Sequence, residues 1–302
     1  MASEIGHGMV SGLGRRTLKL TVAYEGTRYA GWQIQETSRQ EAVGRRQQTP
    51  QPTIQGTLEQ VLRKILQERV AVVGSGRTDA GVHALAQVAH VKTRSTMPCA
   101  RLHRSLNELL PPDIAVTRLE AVEPAFHARF DASRKRYRYR MFTGPVVPPF
   151  TRLYVHHVRW PLRVSAMRRE LAALRGRRDF LAFAHAAQSV DSPRRRQGSL
   201  RTLPLGATIR AITDARLMKR GSELHLELEG NGFLHTMVRS IAGTIIDVGR
   251  GRLPEGTVRR MLRTGDRRLA GTTAPPQGLI LVSVTYGRHD GPPNGTGLTL
   301  PP

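Results

Sequence analysis

The segment from Arg134 to Phe142 alternates with a period of two. Lys135, Tyr137, Tyr139 and Met141 fall on one side of an extended chain, and Arg134, Arg136, Arg138 and Arg140 on the other. Successive side chains of a strand point to opposite faces, so this pattern predicts a strand with an aromatic or apolar face and a cationic face. The cationic face is either a solvated surface or the lining of a channel for a polyanion. The presence of Tyr137 on the same strand favours the channel.

The surrounding pattern supplies partners for such a strand. Thr17–Tyr24 alternates with Leu18, Leu20 and Val22 on one face, and Val70–Val73 is a short apolar strand running into Gly74-Ser75-Gly76. Further strands are predicted at Gln87–Lys92, Ile114–Leu119, Ala207–Leu217, Leu224–Leu228 and Leu279–Tyr286. Helical spacing predicts helices over Ile54–Glu68, Arg101–Leu110 (stopped by Pro111-Pro112), Ser165–Arg175, Phe233–Val248 and Pro254–Arg263. The order implies an α+β protein in which helices cover one face of a largely antiparallel sheet. Residues 1–16 and 287–302, rich in Gly and polar residues or in Gly and Pro, are expected to be a disordered arm and tail. Glu36–Pro52 and Ser189–Leu205 read as polar loops.

Charge points to the partner class. Lys and Arg number 47 against 23 Asp and Glu, a formal net charge of +24. A surface this basic attracts nucleic acid, although an arginine-rich codon bias accounts for part of the excess. Cys99 is the single cysteine, and no Cys/His set has zinc spacing, so neither a disulfide nor a metal site is expected. No apolar run is long enough to span a bilayer, and the N-terminus has no apolar h-region, so a soluble, cytoplasmic protein is expected.

One loop carries candidate chemistry. In Gly74-Ser75-Gly76-Arg77-Thr78-Asp79-Ala80-Gly81-Val82-His83, a carboxylate follows a strand end in a glycine-bounded turn. An Asp flanked by cationic groups stays ionised, which suits a nucleophile. A structural Asp capping a turn is the commoner use of such a residue, and the loop alone does not displace it. A dinucleotide fingerprint fails because its third glycine would fall on Asp79, and no Gly-Lys-Ser/Thr follows for a phosphate loop.

The block Ala71–Val91, with Gly76-Arg77-Thr78-Asp79-Ala80-Gly81-Val82-His83 and Gln87-Val88, resembles the catalytic motif of the tRNA pseudouridine synthase A family. Tyr24-Glu25-Gly26, Gly31-Trp32-Gln33-Ile34-Gln35 and Thr53-Ile54-Gln55-Gly56 are similar to its N-terminal blocks. Phe126-His127-Ala128-Arg129-Phe130 with Lys135-Arg136-Tyr137-Arg138-Tyr139 resembles a third block. Asn231-Gly232-Phe233-Leu234-His235 with Met237-Val238-Arg239 and Gly243 resembles a fourth. The blocks stand in family order over about residues 17–286.

The resemblance implies the pseudouridine synthase fold: two similar α+β halves forming a continuous, mainly antiparallel sheet, helices on one side, and a central active-site cleft. Residues 17–130 would carry the Asp loop and residues 131–286 the second half. Asp79 matches the nucleophile that attacks the target uridine. Tyr137 matches the tyrosine that stacks on the flipped base and helps remove the C5 proton, and Arg239 the arginine that pairs with the nucleophile. Arg77 matches the arginine that fills the space left by the base or contacts phosphate. The implied substrate is uridine at positions 38 to 40 of the tRNA anticodon stem-loop. The implied enzyme is a homodimer that needs no metal or organic cofactor, with no DNA or membrane partner. Glu36–Pro52 and Val190–Pro204 look like insertions relative to the family, and leave the range of sites open. The rival reading is a non-catalytic, basic α+β RNA-binding or RNA-chaperone protein.

Overall fold

The computed structural model describes residues 14–34, 51–184 and 206–287. The expected arm lies outside the described residues except for 14–16, and the tail except for Gly287. Glu36–Pro52 also lies outside except for its last two residues, and Ser189–Leu205 lies wholly outside.

The strands are β1 (Arg16–Tyr24), β2 (Val73–Gly74), β3 (His83–Thr93), β4 (Ile114–Val122), β5 (Ala132–Phe142), β6 (His156–His157), β7 (Gly176–Asp179), β8 (Ile209–Arg220), β9 (Glu223–Gly230) and β10 (Leu279–Tyr286). The helices are α1 (Ile54–Leu66), α2 (Cys99–Leu109), α3 (Val164–Ala172), α4 (Met237–Gly249) and α5 (Thr257–Thr264). One sheet runs β4-β1-β3-β10-β5-β9-β8-β7, with β2 on β3 and β6 on β5. The chain's last strand therefore lies in the middle of the sheet. Pairing is antiparallel except for β3 with β10 and β5 with β6. Strands β3 and β10 share only two register pairs, Ile280 with His83 and Leu281 with Ala84. Beyond those pairs the two strands part, and β2 pairs with β3 at His90 and Ala89.

The helices bury their apolar stripes on one side of the sheet. Leu58 and Leu62 of α1, Leu102 and Leu106 of α2, Met167 of α3 and Ile241 and Ile245 of α4 share one core with Leu18, Leu20, Tyr139 and Met141. Local signals set the helix ends. Thr53 caps α1, its hydroxyl accepting from Gly56 N–H at 3.1 Å, and Gln67 closes it in the left-handed region at φ 52°.

Three readings need correction. Val70–Val73 is not a four-residue strand: only Val73 and Gly74 pair, with His90 and Ala89. Val70 and Val72 are buried as an extended approach to the sheet, a role that apolar content alone does not distinguish from a strand. The helix expected from Phe233 starts instead at Met237, because Thr236 sits at φ 56° and breaks the turn before it. The cationic face of β5 is not the row of open cations expected of a polyanion channel, because glutamates pair with it. Arg136 lies opposite Glu229 and Arg138 opposite Glu227 in the β5–β9 ladder, and both pairs bond through their side chains. Arg140 bonds Glu223 at 2.7–2.8 Å, and Arg216 of β8 shares Glu227 with Arg138. Cross-strand charge pairing thus consumes the arginine face, while Tyr137 and Tyr139 face Leu228 and Leu226 on the other side.

Helix α4 is clamped to the segment 271–275 by a contact that only glycine permits. A Cβ on Gly243 would lie 1.7 Å from the Thr272 carbonyl oxygen. The segment cannot retreat freely: Ala274 N–H donates to Arg239 O, and Thr272 N–H donates to the Asp247 carboxylate, both at 3.1 Å. Gly243→Ala is expected to destabilise the fold by about 2 kcal/mol or more, as overpacking against fixed backbone does. Urea unfolding measures it, and an unchanged midpoint contradicts the contact.

Candidate active site

The loop after β2 is held from three sides. Ser75 N–H donates to Val88 O at 2.7 Å, and the Ser75 hydroxyl bonds Gln87 Oε1 at 2.7 Å. The fully buried Gln87 then donates from Nε2 to Gly76 O at 2.9 Å. The Tyr24 and Thr78 hydroxyls bond at 2.8 Å, and Trp32 N–H donates to Thr78 O at 3.1 Å. Gly31, at φ 95°, lets that strand of chain approach: a Cβ there would lie 2.6 Å from Thr78 O. The N-terminal motif residues are thus the packing wall of the loop that carries Asp79.

Asp79 receives one cationic or polar partner on each oxygen. Arg239 Nη1 donates to Oδ2 at 2.7 Å, and His235 Nε2 lies 3.3 Å from Oδ1. Arg239 is aimed by a second bond, from Nε to Ala274 O at 2.9 Å. The three side chains are only partly exposed, at 15% for Asp79, 17% for Arg239 and 29% for His235. A carboxylate fixed at both oxygens has a set orientation, and the charge-assisted bonds are stronger than neutral ones. His235 was legible only as part of the Asn231–His235 block. Its contact exists because the chain before Met237 is a loop and not a first helical turn.

Asp79 opens into a cleft of about 700 Å³ whose walls include Trp32, Tyr137, Phe233, Leu234 and His235. Tyr137 is 7% exposed and meets Phe233 edge to face at 5.1 Å. Burial, reinforced by Tyr24 and by the Asp79 charge, raises its phenol above the usual tyrosine value. Tyr137 therefore offers the cleft an aromatic face and a neutral hydroxyl. Arg77 stands exposed at the cleft wall, its Nε bonded to Gln33 Oε1. Asp79, Arg239 and Tyr137 thus come together, and Arg77 flanks them. Sequence reasoning did not single out Arg129 and Arg210, which also line the cleft, and placed Lys135 only on the face of Tyr137.

Lys135 Nζ donates to Ser75 O at 2.5 Å. Burial, then repulsion from Arg129 and Arg210, brings it down to about 8. Between that value and the ordinary 10.5, the unfolded chain holds a proton that the folded chain has released, so stability rises with pH across this window. Lys135→Met removes the rise. Urea denaturation at the two ends of the window is expected to show the wild type gaining on the variant as pH increases; a pH-independent difference contradicts it.

Comparison with known proteins agrees with this geometry. A family model described as tRNA pseudouridine synthase matches residues 20–131 and 171–287. The tRNA pseudouridine synthase A of Thermoanaerobacter sp. (strain X514) is 38% identical over 271 residues, covering 90% of this chain and 100% of the relative. Those of Citrifermentans bemidjiense and Anoxybacillus flavithermus are each 40% identical over 272 residues, covering 90% of this chain and 98% and 99% of the relatives. The chain belongs to the tRNA pseudouridine synthase family.

Proposed function

We propose that the protein isomerises uridine to pseudouridine in tRNA, at one or more of positions 38, 39 and 40 of the anticodon stem-loop, with Asp79 as nucleophile. The observation that carries this reading is the Asp79 carboxylate, held at one oxygen by Arg239 and approached at the other by His235, at the wall of an aromatic-lined cleft. A protein that only binds RNA gains nothing from a carboxylate there, since it repels phosphate. This weighs against the non-catalytic reading.

The chemistry follows from the groups present. A flipped-out uridine enters the cleft and stacks on Tyr137, which replaces stacking lost from the RNA. Attack by Asp79 leads to cleavage of the N1–C1′ bond. The base turns, C5 bonds to C1′, the bond formed by Asp79 breaks to restore the carboxylate, the C5 proton leaves, and N1 takes up a proton. Arg239 orients the carboxylate, and Arg77 occupies the space left by the base or a neighbouring phosphate. The two parts 17–130 and 131–286 contribute Asp79 and the Tyr137–Arg239 pair respectively, so the site forms only when both are assembled. We read the enzyme as a cytoplasmic homodimer with tRNA lying across both subunits. No helix among the described residues is long and apolar enough to cross a membrane.

Tritium release from C5-labelled uridine in an unmodified tRNA transcript, with a chelator present, tests the reading. Release at the anticodon stem-loop positions is expected, and its absence overturns the reaction. Tyr137→Leu is expected to slow release by about 5- to 150-fold, the equivalent of the roughly 1–3 kcal/mol that stacking on an aromatic contributes. Arg239→Gln is expected to lower kcat by on the order of 10²-fold or more, as loss of a preorganised charged donor does. Single-turnover rates check both, and a variant turning over like wild type removes that residue from the site.

A further inference from the structure

In the sheet, strands β1–β4 and strands β5–β10 form two blocks that meet where β3 lies beside β10. Two register pairs join the blocks there, and one of them is His83 with Ile280. The His83 side chain crosses the same seam. It is 2% exposed, with Nδ1 3.0 Å from Gly26 N and Nε2 3.0 Å from Leu153 O. Gly26 follows β1 in the first block, and Leu153 lies between β5 and β6 in the second.

These partners fix the state of the ring. The Gly26 N–H can only donate, so Nδ1 is the bare nitrogen and Nε2 carries the proton that Leu153 O accepts. A neutral imidazole in this one tautomer satisfies both contacts. An imidazolium would set two donors against each other at Gly26.

The bridge is also tied to the loop of Asp79. Val82 N–H donates to Asp79 O at 3.2 Å, and a Cβ on Gly26 would lie 2.0 Å from Val82 O. The turn that His83 holds is therefore pressed against the chain that carries the carboxylate. Across the seam, that carboxylate meets Arg239. Three other groups face the imidazole: Glu25, with Oε1 3.5 Å from Nδ1, the Tyr154 ring at 5.2 Å, and the charge of Arg140. Burial is the largest influence and holds the imidazole below its ordinary 6.5, against the opposing pull of Glu25.

We propose that His83, as the neutral Nε2–H imidazole, is a positioning residue that sets the Asp79 loop against the second block of the sheet, and that its protonation in acid disables the site. The proposal rests on the reading of Asp79 as the nucleophile. His83 touches no reacting atom and acts through residues 79–82.

The test is single-turnover C5 tritium release by full-length protein on stem-loop RNA between about pH 8 and about pH 5. His83→Gln keeps an amide donor toward Leu153 O and has nothing to titrate. His83→Asn keeps an acceptor toward Gly26 but falls short of Leu153. At neutral pH the Asn variant is expected to lose rate by on the order of 10- to 100-fold, as a small misplacement of a reacting group does, with Kd for the RNA unchanged. The Gln variant should retain more of the rate. The ratio of its rate to that of wild type should rise as pH falls below 6.5, since His235 and Asp79 are common to both proteins and cancel. A flat ratio, or a Gln variant no faster than the Asn variant, overturns the proposal. A merely structural role predicts lower urea midpoints with that flat ratio. If neither variant folds, Glu25→Gln decides the matter. It keeps His83 but removes the carboxylate that favours protonation, so the acid loss of activity should move to lower pH, and an unmoved loss overturns the proposal. Wild-type release at about pH 8 separates the two readings. Without it the isomerase reading fails, whereas release together with a flat ratio removes only the role of His83.

Discussion

The bond between Asp79 and Arg239 spans 160 residues of sequence and joins the loop after β2 to the first turn of α4. The rest of the site depends on it. Neither element is a rung of the sheet: one is a loop and the other a helix. The loop is set by Gln87, Thr78 and the Gly26–Trp32 wall, and the arginine by Ala274 and the Gly243 contact. Each side is preorganised separately, and the ion pair brings the two into one arrangement. Holding a reacting group in a set geometry before substrate arrives is the larger part of what such a site can contribute to rate.

The sheet divides charge between its faces to make this possible. On one face the arginines of β5 and β8 meet the glutamates of β9, and Glu227, 2% exposed, serves Arg138 and Arg216 together. Burial disfavours that carboxylate, yet the bonds from the two arginines outweigh it and hold Glu227 below the usual carboxylate range. On the other face the same strand presents Lys135 and Tyr137 to the cleft. One period-two sequence thus supplies a neutralised ladder behind and a lysine and a tyrosine at the cleft in front.

Much of the fold was legible because its signals are local. The strand Leu279–Tyr286 matches its predicted limits, and α1 differs from its predicted end by two residues, where Gln67 turns left-handed. Long-range effects were not legible. The glutamates that neutralise β5 lie 83 to 93 residues away in the chain, beyond what local periodicity reports. Phe233 extends the apolar spacing of α4 back by one turn because it packs against the core and Tyr137 without being helical. Asp79, Tyr137, Arg77 and Arg239 were found through resemblance to a family; by residue type alone, each had a more ordinary use. The contact of His235 with Asp79 emerges only from three-dimensional proximity.

The central claim is that Asp79 performs the chemistry and is not a structural turn residue. Asp79→Asn preserves the size and much of the hydrogen bonding of the side chain while removing its nucleophilic charge. The decisive measurement is the single-turnover rate of C5 tritium release by Asp79→Asn, alongside its Kd for the same stem-loop. The account predicts that release is abolished while stem-loop binding is retained. Release near the wild-type rate would contradict it.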